Sequence, residues 1–264
     1  MQARLMTAVL VAWSVLASGA VLATPADGDD AASPATVLVA GGTGRTGRYV
    51  VAQLLERGDR VRVLTRSDER AAELFGDRVD VFIGDVRDAQ TLRPAVDGAQ
   101  FVISAVGSSV RQDPENSPEA VDYRGILNLV DAALDAGTVE RFVLVSAMGA
   151  GDPLHPLNRF ADNILLWKAL GENMVRDSGL DYTIVRPGGL TDAAGGEPVR
   201  TGGVGALPLG PVPRADVARV CIAALTDPAA SRRTVEVVGA GTGDRNDTAG
   251  LFDAIAPDDD STIF

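Results

Sequence analysis

The sequence predicts an α/β protein built on one doubly wound parallel sheet, and three observations carry that prediction. Short apolar runs alternate with helical patterns from residue 36 onward. The runs are almost continuous in Val, Ile and Leu. A glycine-rich turn joins the first run to the first helix. Strands buried on both faces need apolar residues at every position, which suits a parallel sheet covered by helices on both sides. Regular alternation with helices gives βαβ units, whose right-handed crossovers wind the sheet outward in both directions.

The elements follow in order. "TVLVA" (36–40) is the first strand and leads to a helix over 47–57. "RVRVLTR" (60–66) and "VDVFIGD" (79–85) are the next two strands, with a helix over 68–75 between them. A helix over 88–97 leads to "QFVISAVG" (100–107), and one over 119–136 leads to "RFVLVSAMG" (141–149). The helix over 158–178 precedes "DYTIVRP" (181–187), and a last one over 215–226 precedes "TVEVVG" (234–239). The stretch "TDAAGGEPVRTGGVGALPLGPVP" (191–213) is loop-like, at a place where such folds carry a substrate-side lid.

The 264 residues are 46% hydrophobic and 23% charged, enough to fill one large core. A net charge of −12 argues against a nucleic-acid partner, because a phosphate backbone requires a basic surface. It leaves open an anionic cofactor, which feels a local site. Cys221 lies in "VARVCIAAL" and reads as a buried core thiol. With one His and one Cys, no zinc site is expected.

The start has a different character. Residues 1–23 carry one arginine and a long apolar run, with Val21 and Ala23 suited to a signal-peptidase site. The run from Leu5 to Ala23 is also near the roughly 20 residues that cross a bilayer. Residues 1–23 are therefore expected to be a signal peptide or membrane anchor, 24–35 a disordered spacer, and 36–264 a single folded domain. This expectation places the protein outside the cytoplasm, exported to the periplasm or beyond or held at the membrane, and in the cytoplasm if the start codon is misassigned.

The glycines indicate a ligand. In "VLVAGGTGRTG", Gly41, Gly44 and Gly47 recur every third residue between a buried strand and a helix. In a dinucleotide site the first such glycine makes the turn, the second admits the pyrophosphate and the third lets helix and strand approach. The helix N-terminus offers free N–H groups and partial positive charge to the anion. The loop residues Gly41, Thr43, Gly44, Arg45, Thr46 and Gly47 are thus candidate cofactor contacts. An NAD-selective site ends its second strand with an acid, whereas this strand ends in Thr65, Arg66 and Ser67. Arg66, flanked by Arg45, points to the 2′-phosphate of NADP(H) in preference to NAD(H). Asp85 and Val86 after the third strand fit the adenine end, and Ala105, Val106 and Gly107 after the fourth are small enough to let the cofactor pass.

With "GGTGRTG", "VLTRS", "GDVRD", "VSAMGA", "SGLDYTIVRPGGL" and "PRADVARVCIAALTDP" together, the chain resembles the atypical short-chain dehydrogenase/reductase proteins. Within them it is similar to the NAD(P)H-binding group close to NmrA-like regulators and flavin/biliverdin reductases. The resemblance implies a Rossmann-type fold and an NADP(H)-binding, oxidoreductase-like protein acting on a small carbonyl, quinone or flavin-like acceptor. It also implies roles for single residues. Lys168 stands where the catalytic lysine of the Tyr-x-x-x-Lys pair would stand, but the residue four before it is Ile164. Lys168 then either holds the nicotinamide ribose or pairs with Glu172 one turn on. Ser146 matches the catalytic serine by position, with a structural reading beside it, and Pro187, Gly188 and Gly189 would flank the nicotinamide. His155, the sole histidine, is a lesser candidate proton donor. The absent tyrosine keeps a second reading open, a non-catalytic NADP(H)-binding sensor or assembly factor. An epimerase-type enzyme needs a longer chain after the sixth strand.

Overall fold

The computed structural model describes residues 34–108, 114–240 and 248–259. The expected leader and nearly all of the spacer lie outside the described residues. Strand β1 (Thr36–Ala40) runs into helix α1 (Gly47–Arg57), then β2 (Arg60–Thr65), α2 (Asp68–Phe75), β3 (Asp80–Ile83) and a short α3 (Arg93–Val96). The second half contains β4 (Phe101–Ser104), α4 (Gly125–Ala136), β5 (Arg141–Val145), α5 (Leu157–Phe160), α6 (Ile164–Asp177) and β6 (Tyr182–Pro187). Three short strands follow, β7 (Gly189–Thr191), β8 (Val199–Gly202) and β9 (Pro211–Pro213), before α7 (Arg214–Ala224) and β10 (Arg233–Gly239).

Among the described residues, eight strands form one sheet in the order β3-β2-β1-β4-β5-β6-β10-β8. Chain order reverses at β1, which pairs in parallel with both β2 and β4. Ligands of open α/β sheets bind at this switch point, outside the carboxyl ends of the strands. Alternate residues of each strand feed two cores. Val37, Val39, Val63 and Ile103 pack with Val50, Leu54 and Val217 on one side; Leu38, Val102, Leu144 and Ile184 pack with Ile126, Leu129 and Val175 on the other. Burial of one such side chain is worth about 1.5–3 kcal/mol.

Three expectations need correction. The helix expected over 88–97 is a 3-10 turn (Ala89–Thr91) and the four-residue α3, because Pro94 lacks the N–H a longer helix would use. The helix expected over 158–178 is broken: Asp162 and Asn163 take positive φ angles of 47° and 55°, which Asp and Asn tolerate better than most residues, so α6 starts afresh at Ile164. The stretch read as loop supplies β8, an antiparallel edge strand on β10, and the small parallel pair β7–β9. Strands of three and four residues are too short for alternation to announce them.

Beneath β6 the core holds charge. Glu172 on α6 is wholly buried and accepts from Arg186 Nε at 2.9 Å and Arg176 Nη2 at 2.9 Å. Arg176 continues to Asp258, whose carboxylate also takes the Tyr182 and Thr234 hydroxyls. Removing one member of a buried ion pair strands its partner, at a cost of about 3–5 kcal/mol. Glu172→Gln is accordingly expected to lower stability by that order, read as a shift of the urea unfolding midpoint at unchanged slope.

Candidate functional site

The site begins where β1 stops. Gly41 turns the chain with φ +75° while its N–H donates to the Leu64 carbonyl at 3.1 Å. The Gly44 N–H donates to the Gly41 carbonyl at 2.9 Å, closing the turn. A Cβ on Gly47 would lie 2.2 Å from that same carbonyl oxygen, so only glycine lets α1 start there. Thr46 precedes the helix without a side-chain cap, and the N–H groups of Arg45, Thr46 and Gly47 find no acceptor among the described residues. An uncapped helix N-terminus of this kind is a ready anion site.

Below the turn lies a cleft of about 380 Å³. Gly41, Thr43 and Gly44 form one wall, Thr65 to Ser67 the end of β2, and Asp85 and Val86 the region after β3. Ala105, Val106 and Gly107 follow β4 along its floor. The hydroxyls of Thr43 and Thr65 stand 3.0 Å apart and tie turn to strand. Arg66 is exposed, donates to Asn116 Oδ1 at 2.7 Å and lies 4.0 Å from Asp85. Arg87 clamps the Asp85 carboxylate through Nε and Nη2, at 2.9 and 2.6 Å, which holds this carboxyl below its usual pKa.

Arg45 does not join Arg66. Its side chain reaches Asp192 after β7, at 2.5 Å, and Asp192 also takes Arg214 at 2.8 Å. The two arginines hold the Asp192 carboxyl below its usual pKa, Arg45 chiefly. The cation that shares the cleft with Arg66 is Arg70, which is outside the residues expected from the sequence and also pairs with Glu73 at 2.6 Å. Ser67 caps α2 by accepting from the Arg70 N–H at 3.2 Å, so Arg70 sits one turn past the strand end. The cap-to-N3 spacing in "SDER" was the available signal.

The remaining candidates lie toward β5 and α6. Lys168 Nζ donates to Asp122 Oδ1 at 2.7 Å and not to Glu172, which the two arginines occupy. Ser146 is buried after β5 with no partner for its Oγ among the described residues, in a narrow cavity it shares with Val106, Asp122 and Lys168. Ile164 is buried against Ala161 and Leu165. His155 is half-buried, its Nδ1 accepting from the Leu157 N–H at 3.2 Å. Pro187 ends β6, with its carbonyl taking the Met148 N–H at 2.9 Å. The N–H groups of Gly188 and Gly189 go to Val237 and Gly210, at 2.9 and 2.8 Å. Neither Pro187 nor these glycines borders the large cleft. Cys221 is fully buried, and burial pushes its thiol up to about 12.

Residues 41–228 match a family model described as NAD(P)H-binding. A chloroplastic protein of Arabidopsis thaliana is 39% identical over 73% of the chain and 66% of its own length. The sanguinarine reductase of Eschscholzia californica is 35% identical, covering 74% of the chain and 86% of the enzyme. The photosystem II assembly factor Ycf39 of Synechocystis is 31% identical over 77% of the chain and 62% of its own length. Among solved structures, the anaerobilin reductase of Escherichia coli O157:H7 superposes with TM-score 0.67 at 26% identity, over 79% of this chain and 98% of that one.

These relatives correct the expected localisation. The Arabidopsis thaliana protein is chloroplastic, as is TIC 62, of which this chain spans 28% at 35% identity. The plastid location of these relatives stands against export to the periplasm or outside, the location expected from residues 1–23. An apolar run reports hydrophobicity and does not by itself name a compartment. No helix among the described residues is long and apolar enough to cross a membrane.

The turn makes a stability prediction of its own. On Gly44 a Cβ would meet only the Gly41 oxygen, at 3.0 Å, whereas on Gly47 it would strike backbone at 2.2, 2.8 and 2.9 Å. Urea unfolding should show Gly47→Ala destabilised by about 1–3 kcal/mol, the range of overpacking, and Gly44→Ala by less.

Proposed function

This chain belongs to the NAD(P)H-binding family, and from that premise we propose that it is an NADPH-dependent reductase of a small organic acceptor, a carbonyl, quinone or flavin-like ring. The observation that carries the reading is the uncapped start of α1 above a cleft with Arg66 and Arg70 at its far end. The residues fit the dinucleotide: a glycine turn with free N–H groups suits a pyrophosphate, and paired guanidinium groups suit a 2′-phosphate. Bound NADPH supplies a hydride.

The chain's own residues divide the remaining work. Thr43, Gly44, Thr46 and Gly47 would hold the pyrophosphate, with Arg45 close by but spent on Asp192. Asp85 and Val86 would border the adenine, and Ala105, Val106 and Gly107 would leave room for the chain of phosphates and sugars. Lys168 would hold the nicotinamide ribose and place a positive charge near the nicotinamide, which Pro187, Gly188 and Gly189 would flank from the end of β6. Ile164 has no proton to give. Ser146 is the better candidate to hydrogen-bond or protonate the acceptor, because its buried hydroxyl lacks a partner among the described residues while His155 already uses Nδ1. The names of the sanguinarine and anaerobilin reductases agree with a small-molecule acceptor.

The second reading, a non-catalytic NADP(H)-binding sensor or assembly factor, rests on Ile164 and on the relative named as an assembly factor. Steady-state NADPH oxidation across quinones, flavins and aldehydes separates the two. The reductase reading expects turnover that falls about tenfold or more in Lys168→Ala, the scale of one lost charge-assisted contact. Tight NADPH binding without turnover on any acceptor would favour the sensor.

The choice of dinucleotide is tested by calorimetry. Arg66→Asp sets a carboxylate against the 2′-phosphate, so NADPH should bind about tenfold or more weakly while NADH changes little. Equal affinities for NADPH and NADH in the unmodified protein would remove Arg66 from this role.

A further inference from the structure

The ion pair of Lys168 with Asp122 is more elaborate than a surface contact. The Asp122 side chain is 1% exposed and that of Lys168 15%. Asp122 Oδ2 also accepts from the Ser108 N–H at 3.1 Å and its Oγ at 2.5 Å, so the carboxylate is held at both oxygens. Asp122 lies in a π-helical turn, Glu119–Arg124, that leads into α4. Such turns are rare in helices and recur at functional sites. Neighbouring contacts fix α6 against this turn. A Cβ on Gly171 would lie 2.2 Å from the Asp122 carbonyl, and the Tyr123 and Trp167 rings stack at 6.0 Å.

Two facts aim the pair at the cleft. Gly107 lines it, and a Cβ there would lie 3.5 Å from Asp122 Oδ1 and 3.7 Å from Lys168 Nζ, so a larger residue would cover the pair. An ammonium has three donor hydrogens, and Asp122 is the acceptor the described residues offer it. Buried pairs contribute little net stability, since desolvation offsets their attraction. Position is what this one provides.

We propose that Asp122 is a positioning residue: with Ser108 it fixes the Lys168 ammonium behind Gly107, where its remaining donors meet the hydroxyls of the nicotinamide-side ribose. The proposal rests on the NADPH reading above, and the test keeps the two apart. The probes are NADPH and 2′,5′-ADP, which carries the 2′-phosphate and adenosine but lacks the nicotinamide ribose. Both affinities are measured by calorimetry on the full chain.

Asp122→Asn should weaken NADPH about tenfold and leave 2′,5′-ADP within about twofold, because only one probe reaches Lys168. Lys168→Met should do the same, and the double variant should bind NADPH no more weakly than Lys168→Met, the signature of residues acting as one unit. A merely structural role for Asp122 would move both probes together, or add to Lys168→Met, and either result overturns the proposal. So does an Asp122→Asn that binds NADPH like the unmodified protein. Should Asp122→Asn fail to fold, Ser108→Ala loosens the carboxylate alone and should weaken NADPH about threefold with 2′,5′-ADP unchanged; unchanged NADPH affinity would overturn it. An unmodified protein that binds neither probe refutes the NADPH reading itself and this inference with it.

Discussion

The close approach of Gly47 to the Gly41 carbonyl is the constraint on which the rest of the site depends. Helix α1 can start directly above the end of β1 only because no Cβ stands at residue 47. That start leaves the first N–H groups of the helix uncapped at the point where chain order reverses, between β1 and β4. A capping side chain at Thr46 would satisfy one of those donors and contribute about 1 kcal/mol. The fold forgoes it here, and the donors remain available to an anion.

Charge is arranged with the same economy. The protein carries a net −12, yet carboxylates around the cleft and glycine turn are matched locally: Asp85 by Arg87, Asp192 by Arg45 and Arg214, Asp122 by Lys168. Neutralised acids cast little field into the cleft; of the two cations that line it Arg70 is itself paired with Glu73 at 2.6 Å, which leaves Arg66, 4.0 Å from Asp85, to set the sign beside the end of β2. A phosphate approaching the site meets those cations and the start of α1 before it feels the mean charge. At moderate salt the Debye length is about 10 Å, so the distant surface acids are screened while groups in the cleft are not.

The sheet was legible because parallel strands leave a strong mark: seven apolar runs became seven of the main strands, with boundaries trimmed by a few residues. The glycine turn was equally legible, since its spacing encodes a single backbone geometry. What escaped depended on three-dimensional partners. Arg45 sits in the loop as well as Arg66 sits at its strand end, and nothing local says that Asp192, 147 residues on, draws it away. Glu172 stands four residues after Lys168 in the spacing of a helical pair, but Arg186 from β6 and Arg176 from its own helix reach it first. Asp122 gave no signal, because its meaning lies in Lys168, 46 residues later, and in a π turn that periodicity does not reveal.

The break between α5 and α6 gives the missing tyrosine a structural account. Asp162 and Asn163 adopt left-handed backbone, and α6 begins at Ile164, which closes a small apolar cluster with Ala161 and Leu165. A tyrosine at that position would have to find room for a ring and a buried hydroxyl in space now filled by aliphatic carbon, with strain of about 1–3 kcal/mol from overpacking. The helix start is thus built around an aliphatic residue and would not simply accept the missing acid. On the proposed reductase reading, chemistry beside this helix would fall to the groups that remain polar there. These are the Lys168 ammonium, oriented by a carboxylate with both oxygens engaged, and a Ser146 hydroxyl without a partner among the described residues. Such a pair can grip an oxygen atom and steady developing charge on it. On that reading the chain would favour acceptors that take up hydride readily over those that need a strong acid at the same instant.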